Sequence, residues 1–240
     1  MLQNIKSSPG LSFFQKLLAE AFGTFILVYS AGVTQGDATS VAPALWAAMI
    51  ATGFVSGAQF NPAVSIAVTI NTALTRPREL SERLRLSIWY ILVQLEFAYL
   101  GAYVAYLTIN SNDKQLLYFD VSEGYKVGQA FVAEMFFTTV LAGCAVIGGH
   151  YTNSNILVGG LVATVVSAGD FAIGRYTGGV FNPAVGFGIN MIYYTIKGNS
   201  THRVWLYIIA PSVGGVLAGL ITTFFIIFKK STEELRKTYY

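Results

Sequence analysis

The sequence predicts an all-α membrane protein with six transmembrane helices and two re-entrant half-helices in an inverted three-plus-three repeat. Three observations carry this. The chain is 54% hydrophobic and only 11% charged, against roughly 25% charged in a typical soluble domain, so lipid must face most of its exterior. Six apolar segments are long enough, or nearly so, to cross a bilayer. The tripeptide Asn-Pro-Ala occurs twice, as Asn61-Pro62-Ala63 and Asn182-Pro183-Ala184, at matched places in two halves that resemble each other.

In chain order the spans fall near 12–34, 41–57, 86–109, 128–149, 156–174 and 203–228. Each approaches the length that crosses a core of about 30 Å at about 1.5 Å per helical residue. The N-terminal residues lack the apolar run and small-residue cleavage site of a signal peptide, so the first apolar run reads as a retained span. Two further apolar stretches, 61–70 and 182–192, would reach about 15 Å, half the membrane. That is the length of a re-entrant half-helix. At 240 residues the whole chain, 1–240, fits a single domain, with a first repeat over about 12–109 and a second over about 128–228.

The repeat is visible in the residues. The first half opens Ala19-Glu20-Ala21-Phe22 and later reads Gly57-Ala58-Gln59-Phe60-Asn61-Pro62-Ala63-Val64. The second opens Ala133-Glu134-Met135-Phe136 and later reads Gly178-Gly179-Val180-Phe181-Asn182-Pro183-Ala184-Val185. Three spans per half make the second copy enter from the opposite face, and the site of such a repeat lies where the halves meet.

Charge placement sets orientation. With the N-terminus cytoplasmic, that side holds Lys6, Lys16, Arg76, Arg78, Arg83, Arg85, Lys229, Lys230, Arg236 and Lys237. The other side holds Lys114, Lys126, Arg175, Lys197 and Arg203, and the excess inside places both termini in the cytoplasm. The Asn199-Ser200-Thr201 sequon then lies outside, where glycosylation is open to it. A net charge of +3 gives no support to a nucleic-acid partner. The single cysteine, Cys144, excludes a disulfide framework, and with only two histidines a metal centre is not expected. No cofactor is implied.

Asn-Pro-Ala reads as a helix start, with Asn as the cap and Pro at the first helical position, where a missing N–H does no harm. Inside hydrocarbon the cap must be intramolecular, and the start must face protein or water. The Asn carboxamide can accept from the backbone while its NH2 donates onward. Two such starts from opposite faces bring two positive dipole ends together, a field that orients water and opposes cations. One copy alone would be an ordinary capped helix; two, each preceded by Phe and followed by Val, are not.

These residues resemble the aquaporin, or major intrinsic protein, family over nearly the whole chain. The resemblance rests on Ala-Glu-x-x-Gly-Thr at Ala19, the Ser56-Gly57-Ala58-x-Phe60-Asn61-Pro62-Ala63-Val64 run, Gln94 with Gly101-Ala102, and Gly174-x-x-Thr177-Gly178. It implies one pore per subunit, a homotetramer in membrane lipid, and glutamates that brace the re-entrant loops, here Glu20 and Glu134. Family pores narrow near the outer mouth at four positions, which by counting from the motifs fall on Val41, Asp170, Gly179 and Val185. The family's arginine after the second motif is replaced by Val185, and Gln59 stands where a histidine is common. A wider, less positive throat should pass solutes larger than water and exclude cations less strictly.

Several smaller readings accompany these. Glu96 is a candidate polar contact between helices, and His150 a loop histidine with a weaker claim to gating by pH. Tyr193-Tyr194 and Trp205-Tyr207 read as an interfacial belt. Ser231, Thr232 and Thr238 in the basic tail are candidate phosphorylation positions. Gly23, Gly57, Gly101, Gly143, Gly160 and the Gly215–Gly219 pair read as close helix approaches in lipid.

The chain therefore reads as a passive channel, not an enzyme, conducting water and small uncharged solutes such as glycerol, urea or ammonia, in the plasma membrane or an internal one. Three alternatives stay open. A cation- or ammonium-permeable channel on the same fold follows from Asp170 and the missing arginine. A secondary transporter would also use inverted repeats and broken helices, but predicts saturating, ion-coupled flux. A membrane-junction protein predicts no flux.

Overall fold

A computed structural model describes residues 12–109, 116–198 and 203–239, with side chains up to Lys229. The order is α1 (Phe13–Val33), α2 (Ala38–Ser56), α3 (Pro62–Thr75), a 3-10 turn (Pro77–Glu79) leading into α4 (Leu80–Ile109), α5 (Val127–Tyr151) and α6 (Asn155–Gly169). A π-turn (Asp170–Gly174) and a single turn α7 (Arg175–Thr177) follow, then α8 (Pro183–Lys197) and α9 (Val204–Tyr239). The described residues contain no strand.

Six helices are long and apolar enough to cross a membrane: Phe13–Val33, Ala38–Ser56, Pro77–Ile109, Val127–Tyr151, Asn155–Thr177 and Val204–Lys229. The third begins earlier than the hydropathy of the sequence indicates, because Arg83 and Arg85 are carried on its first turns instead of in the preceding loop. Local chemistry fixes the starts. Ser12 and Gln15 form a reciprocal capping box on α1, with the Gln15 amide at 3.2 Å from the Ser12 hydroxyl and the Ser12 amide at 2.8 Å from the Gln15 side chain. Asp37 caps α2 through the Thr39 amide at 3.0 Å, and Ser154 caps α6.

The packing has the symmetry of the repeat. α1 packs on α2 and α4, and α5 packs on α6 and α9 in the same way. The short helices exchange partners: α3 lies against α9 of the other half, and α8 against α4 of the other half. These crossings are close because small residues sit at them. A Cβ on Gly215 would come within 2.3 Å of the Ala63 carbonyl oxygen, and one on Gly188 within 2.5 Å of that of Ala98. Such contacts replace the hydrophobic drive that lipid removes. Gly57 is not one of them. It has open space around it and a φ of 90°, so its task is a left-handed turn at the end of α2, not a helix contact.

Candidate functional site

The two Asn-Pro-Ala segments start α3 and α8 and meet at the centre of the bundle. Asn61 accepts from the Ala63 amide at 2.9 Å, and Asn182 from the Ala184 amide at 2.9 Å. Each carboxamide also donates across the repeat: Asn61 to the Phe181 carbonyl at 3.0 Å, Asn182 to the Phe60 carbonyl at 2.9 Å. An NH2 group has two hydrogens, so one donor per Asn ties the halves together and the second remains for the cavity that both residues line.

The loops before the motifs repeat residue by residue. Gly57 and Gly178 have φ of 90° and 93°, Ala58 and Gly179 of 46° and 61°, and Phe60 and Phe181 of 48° and 50°. A left-handed phenylalanine is strained and persists only where its surroundings dictate it. Here they do. Glu20, fully buried, accepts from the Gln59 amide at 2.9 Å, the Phe60 amide at 2.8 Å and the Gln94 side chain at 2.9 Å. Glu134, equally buried, accepts from the Val180 amide at 3.1 Å, the Phe181 amide at 2.8 Å and the Thr177 hydroxyl at 2.6 Å. Each strained phenylalanine is thus gripped at its amide by its own half and at its carbonyl by the other.

Two tyrosines complete the frame. The Tyr90 hydroxyl donates to the Ser56 carbonyl at 2.9 Å and the Tyr207 hydroxyl to the Thr177 carbonyl at 2.7 Å, at equivalent points of the two halves. Both are fully buried. Tyr207 is therefore not part of an interfacial belt with Trp205: two residues along α9, Trp205 is exposed and Tyr207 faces inward.

The cavity has a volume of ≈ 60 Å³, where about 10–15 Å³ suffices for one water. Val41, Gly179 and Val185 line it, together with Gln59, Phe119, Val162 and Val166. Asp170 does not. Its carboxylate lies against the backbone of Gly174 and Gly179, within 2.4 and 2.7 Å of where their Cβ atoms would stand, and α6 presents Val162 and Val166 to the cavity instead. Counting back from Asn182 passes through the π-turn Asp170–Gly174, whose wider winding shifts the helical register. Among the described residues no charged side chain lines the cavity.

Other readings change more simply. Glu96 is exposed on α4 and makes no hydrogen bond or ion pair with a described residue, so it is not a contact between these helices. His150 belongs to the last turn of α5, half-buried, its ring edge-on to Tyr151. Asn199 and the side chains of Ser231, Thr232 and Thr238 lie outside the described residues. No cluster of three or more metal-ligating side chains occurs among the described residues. Sequence reading missed Tyr90, Phe119, Val162 and Val166 and gave Tyr207 the wrong setting; the matching places of Tyr90 and Tyr207 in the two halves were the signal that could have found that pair.

The model of the major intrinsic protein family matches residues 7–222. The chain belongs to that family. It is 29% identical to a probable aquaporin of Arabidopsis thaliana over 98% of this chain and 83% of that one. A probable aquaporin of the TIP type from Medicago truncatula is 30% identical over 90% of this chain and 88% of its own. A glycerol uptake facilitator-like protein of Lactiplantibacillus plantarum is 28% identical over 85% and 94%. Among solved structures the fold is similar to that of the aquaglyceroporin from Plasmodium falciparum, with a TM-score of 0.71, 19% identity and coverage of 88% of this chain and 96% of that one. This major intrinsic protein is an integral, multi-pass membrane protein and a passive channel for water and small solutes, not an enzyme.

Proposed function

We propose that the pore passes glycerol, urea or ammonia as well as water, and that Val41, Gly179 and Val185 form part of its narrow throat. The observation that carries this is the lining: Val185 and Gly179 face the cavity, and neither bulk nor fixed positive charge stands where the family places an arginine. An apolar wall without a guanidinium admits neutral solutes by size and offers few hydrogen bonds to slow them. The twin Asn donors supply orientation at the centre, and Glu20 and Glu134 hold the loops that present them. The functional unit is a homotetramer in membrane lipid, each subunit with its own pore, and both termini face the cytoplasm in accord with the Lys and Arg bias.

Stopped-flow swelling of proteoliposomes with water, glycerol, urea and ammonia, alongside a current measurement, tests the reading. Flux of water and at least one of the other solutes is expected; absence of both swelling and current refutes a channel. Val185→Arg should cut glycerol permeability by about tenfold relative to water, because it restores bulk and charge at the throat. An unchanged solute profile would remove Val185 from the constriction. A second reading, cation leak, is favoured by the uncharged throat. Asp170, standing off the cavity, does not contribute to it, so Asp170→Asn should leave any current as it is.

A further inference from the structure

Resting on the channel reading above, we propose that Phe119, delivered from the α4–α5 connection, supplies the bulk that sets the solute cutoff of this pore. Its ring lines the cavity beside Gly178, Gly179 and Val185, although Phe119 belongs to neither re-entrant loop nor to any spanning helix. The ring fills the room that two glycines and a valine leave open. A Cβ on Gly178 would stand 2.4 Å from the Phe119 ring, so the aromatic edge occupies the volume a side chain at 178 would take. Tyr207 backs it with ring centroids 6.0 Å apart, and only 7% of Phe119 remains exposed.

Bulk restricts solutes only if it is held, and this segment is held at Tyr118, Phe119, Asp120 and Ser122. The fully buried Asn190 of α8 grips the Phe119 backbone at both ends: the Phe119 amide donates to its oxygen at 2.7 Å, and its NH2 donates to the Phe119 carbonyl at 3.1 Å. On either side Tyr118 packs on Tyr193 at 4.5 Å, and Asp120 pairs with Arg203 at 2.8 Å. Ser122 ties to α7 through its amide at 3.0 Å from the Tyr176 carbonyl and its hydroxyl at 2.9 Å from the Arg175 carbonyl. Loops fixed only at their ends move freely; this one is fastened to α7, α8 and α9 around a single ring. Asn190, which is not among the residues lining the cavity, is the positioning residue.

The test is swelling of proteoliposomes containing the full chain, with water, urea, glycerol and erythritol compared for the parent, Phe119→Ala, Phe119→Trp and Asn190→Ala. Phe119→Ala should raise the glycerol-to-water and erythritol-to-water ratios by about tenfold, and Phe119→Trp should lower them by a similar factor, since pore width sets which solute fits. Asn190→Ala should move the ratios in the same direction as Phe119→Ala, a change in selectivity that general loosening of the fold would not produce. Ratios within about twofold of the parent in both Phe119→Ala and Phe119→Trp overturn the proposal, because width then does not depend on this ring. If Phe119→Ala fails to insert, Phe119→Leu takes its place with the same expected direction. A parent without water flux overturns the channel reading instead, so the two failures are told apart.

Discussion

Phe60 and Phe181 show how single residues are made to accept an unfavourable backbone. Their left-handed conformation is disfavoured by roughly 1–3 kcal/mol each, and what offsets it is a buried carboxylate on the amide side. Glu134 takes three donors at 3.1, 2.8 and 2.6 Å, and hydrogen bonds to a charged group contribute about 1.5–3 kcal/mol each. Glu134→Gln keeps the shape but turns one acceptor into an NH2 that must face an N–H or a hydroxyl. We expect the variant to lose about 2 kcal/mol of stability and most of its water flux, since the Phe181 carbonyl is the anchor of Asn61. Thermal unfolding in detergent and stopped-flow swelling read both; parental values in both would show that the carboxylate is not what holds the loop.

At the scale of elements, the two helices that bear throat residues differ in how readable they are. α2 begins at its Asp37 cap and stays α-helical through Pro43 to Ser56, so counting back from Asn61 reaches a residue that lines the cavity, Val41. α6 passes into the π-turn Asp170–Gly174 between its lining residues and the second motif, and nothing in the Gly-Asp-Phe-Ala-Ile-Gly run announces wider winding. Periodicity located both helices; register survived only where the helix stayed α. The α2 cap has its own consequence. Hydrogen bonds from the Thr39 hydroxyl and amide hold the Asp37 carboxyl below its ordinary value of 3.8. A depressed folded value means that the contribution is complete above the ordinary value and is lost as pH falls through the depressed one. Asp37→Ala should therefore lower the thermal midpoint at neutral pH, with a deficit that shrinks in acid, whereas Asp37→Asn should keep the cap and lose the pH dependence. A deficit in Asp37→Ala that is constant with pH would assign the effect to packing.

For the molecule as a whole, the inverted repeat, the spans and the central Asn pair were legible because each is local: an apolar run, a Pro after a capping Asn, a carboxylate in a hydrophobic segment. What was not legible is what joins distant segments, such as Tyr207 on Thr177, Asn190 on Phe119, or each Asn on the carbonyl of the opposite half, since pairing across 30 to 122 residues leaves no spacing to read. With no charged side chain among the described residues that line the cavity, we infer that a barrier to cations would rest on the two helix starts and the two remaining Asn donors at the centre. Asn182→Asp preserves the cap on the Ala184 amide but removes both donors, sets a carboxylate against the Phe60 carbonyl and cancels the positive end of α8. We expect it to lower water permeability and to open a cation current in planar bilayers. Adding Val185→Arg to Asn182→Asp should suppress that current by returning a positive charge to the throat, and this rescue separates a field effect from loss of structure. A current that the second substitution does not reduce would mean that ions cross by a route other than the cavity between the two Asn-Pro-Ala starts.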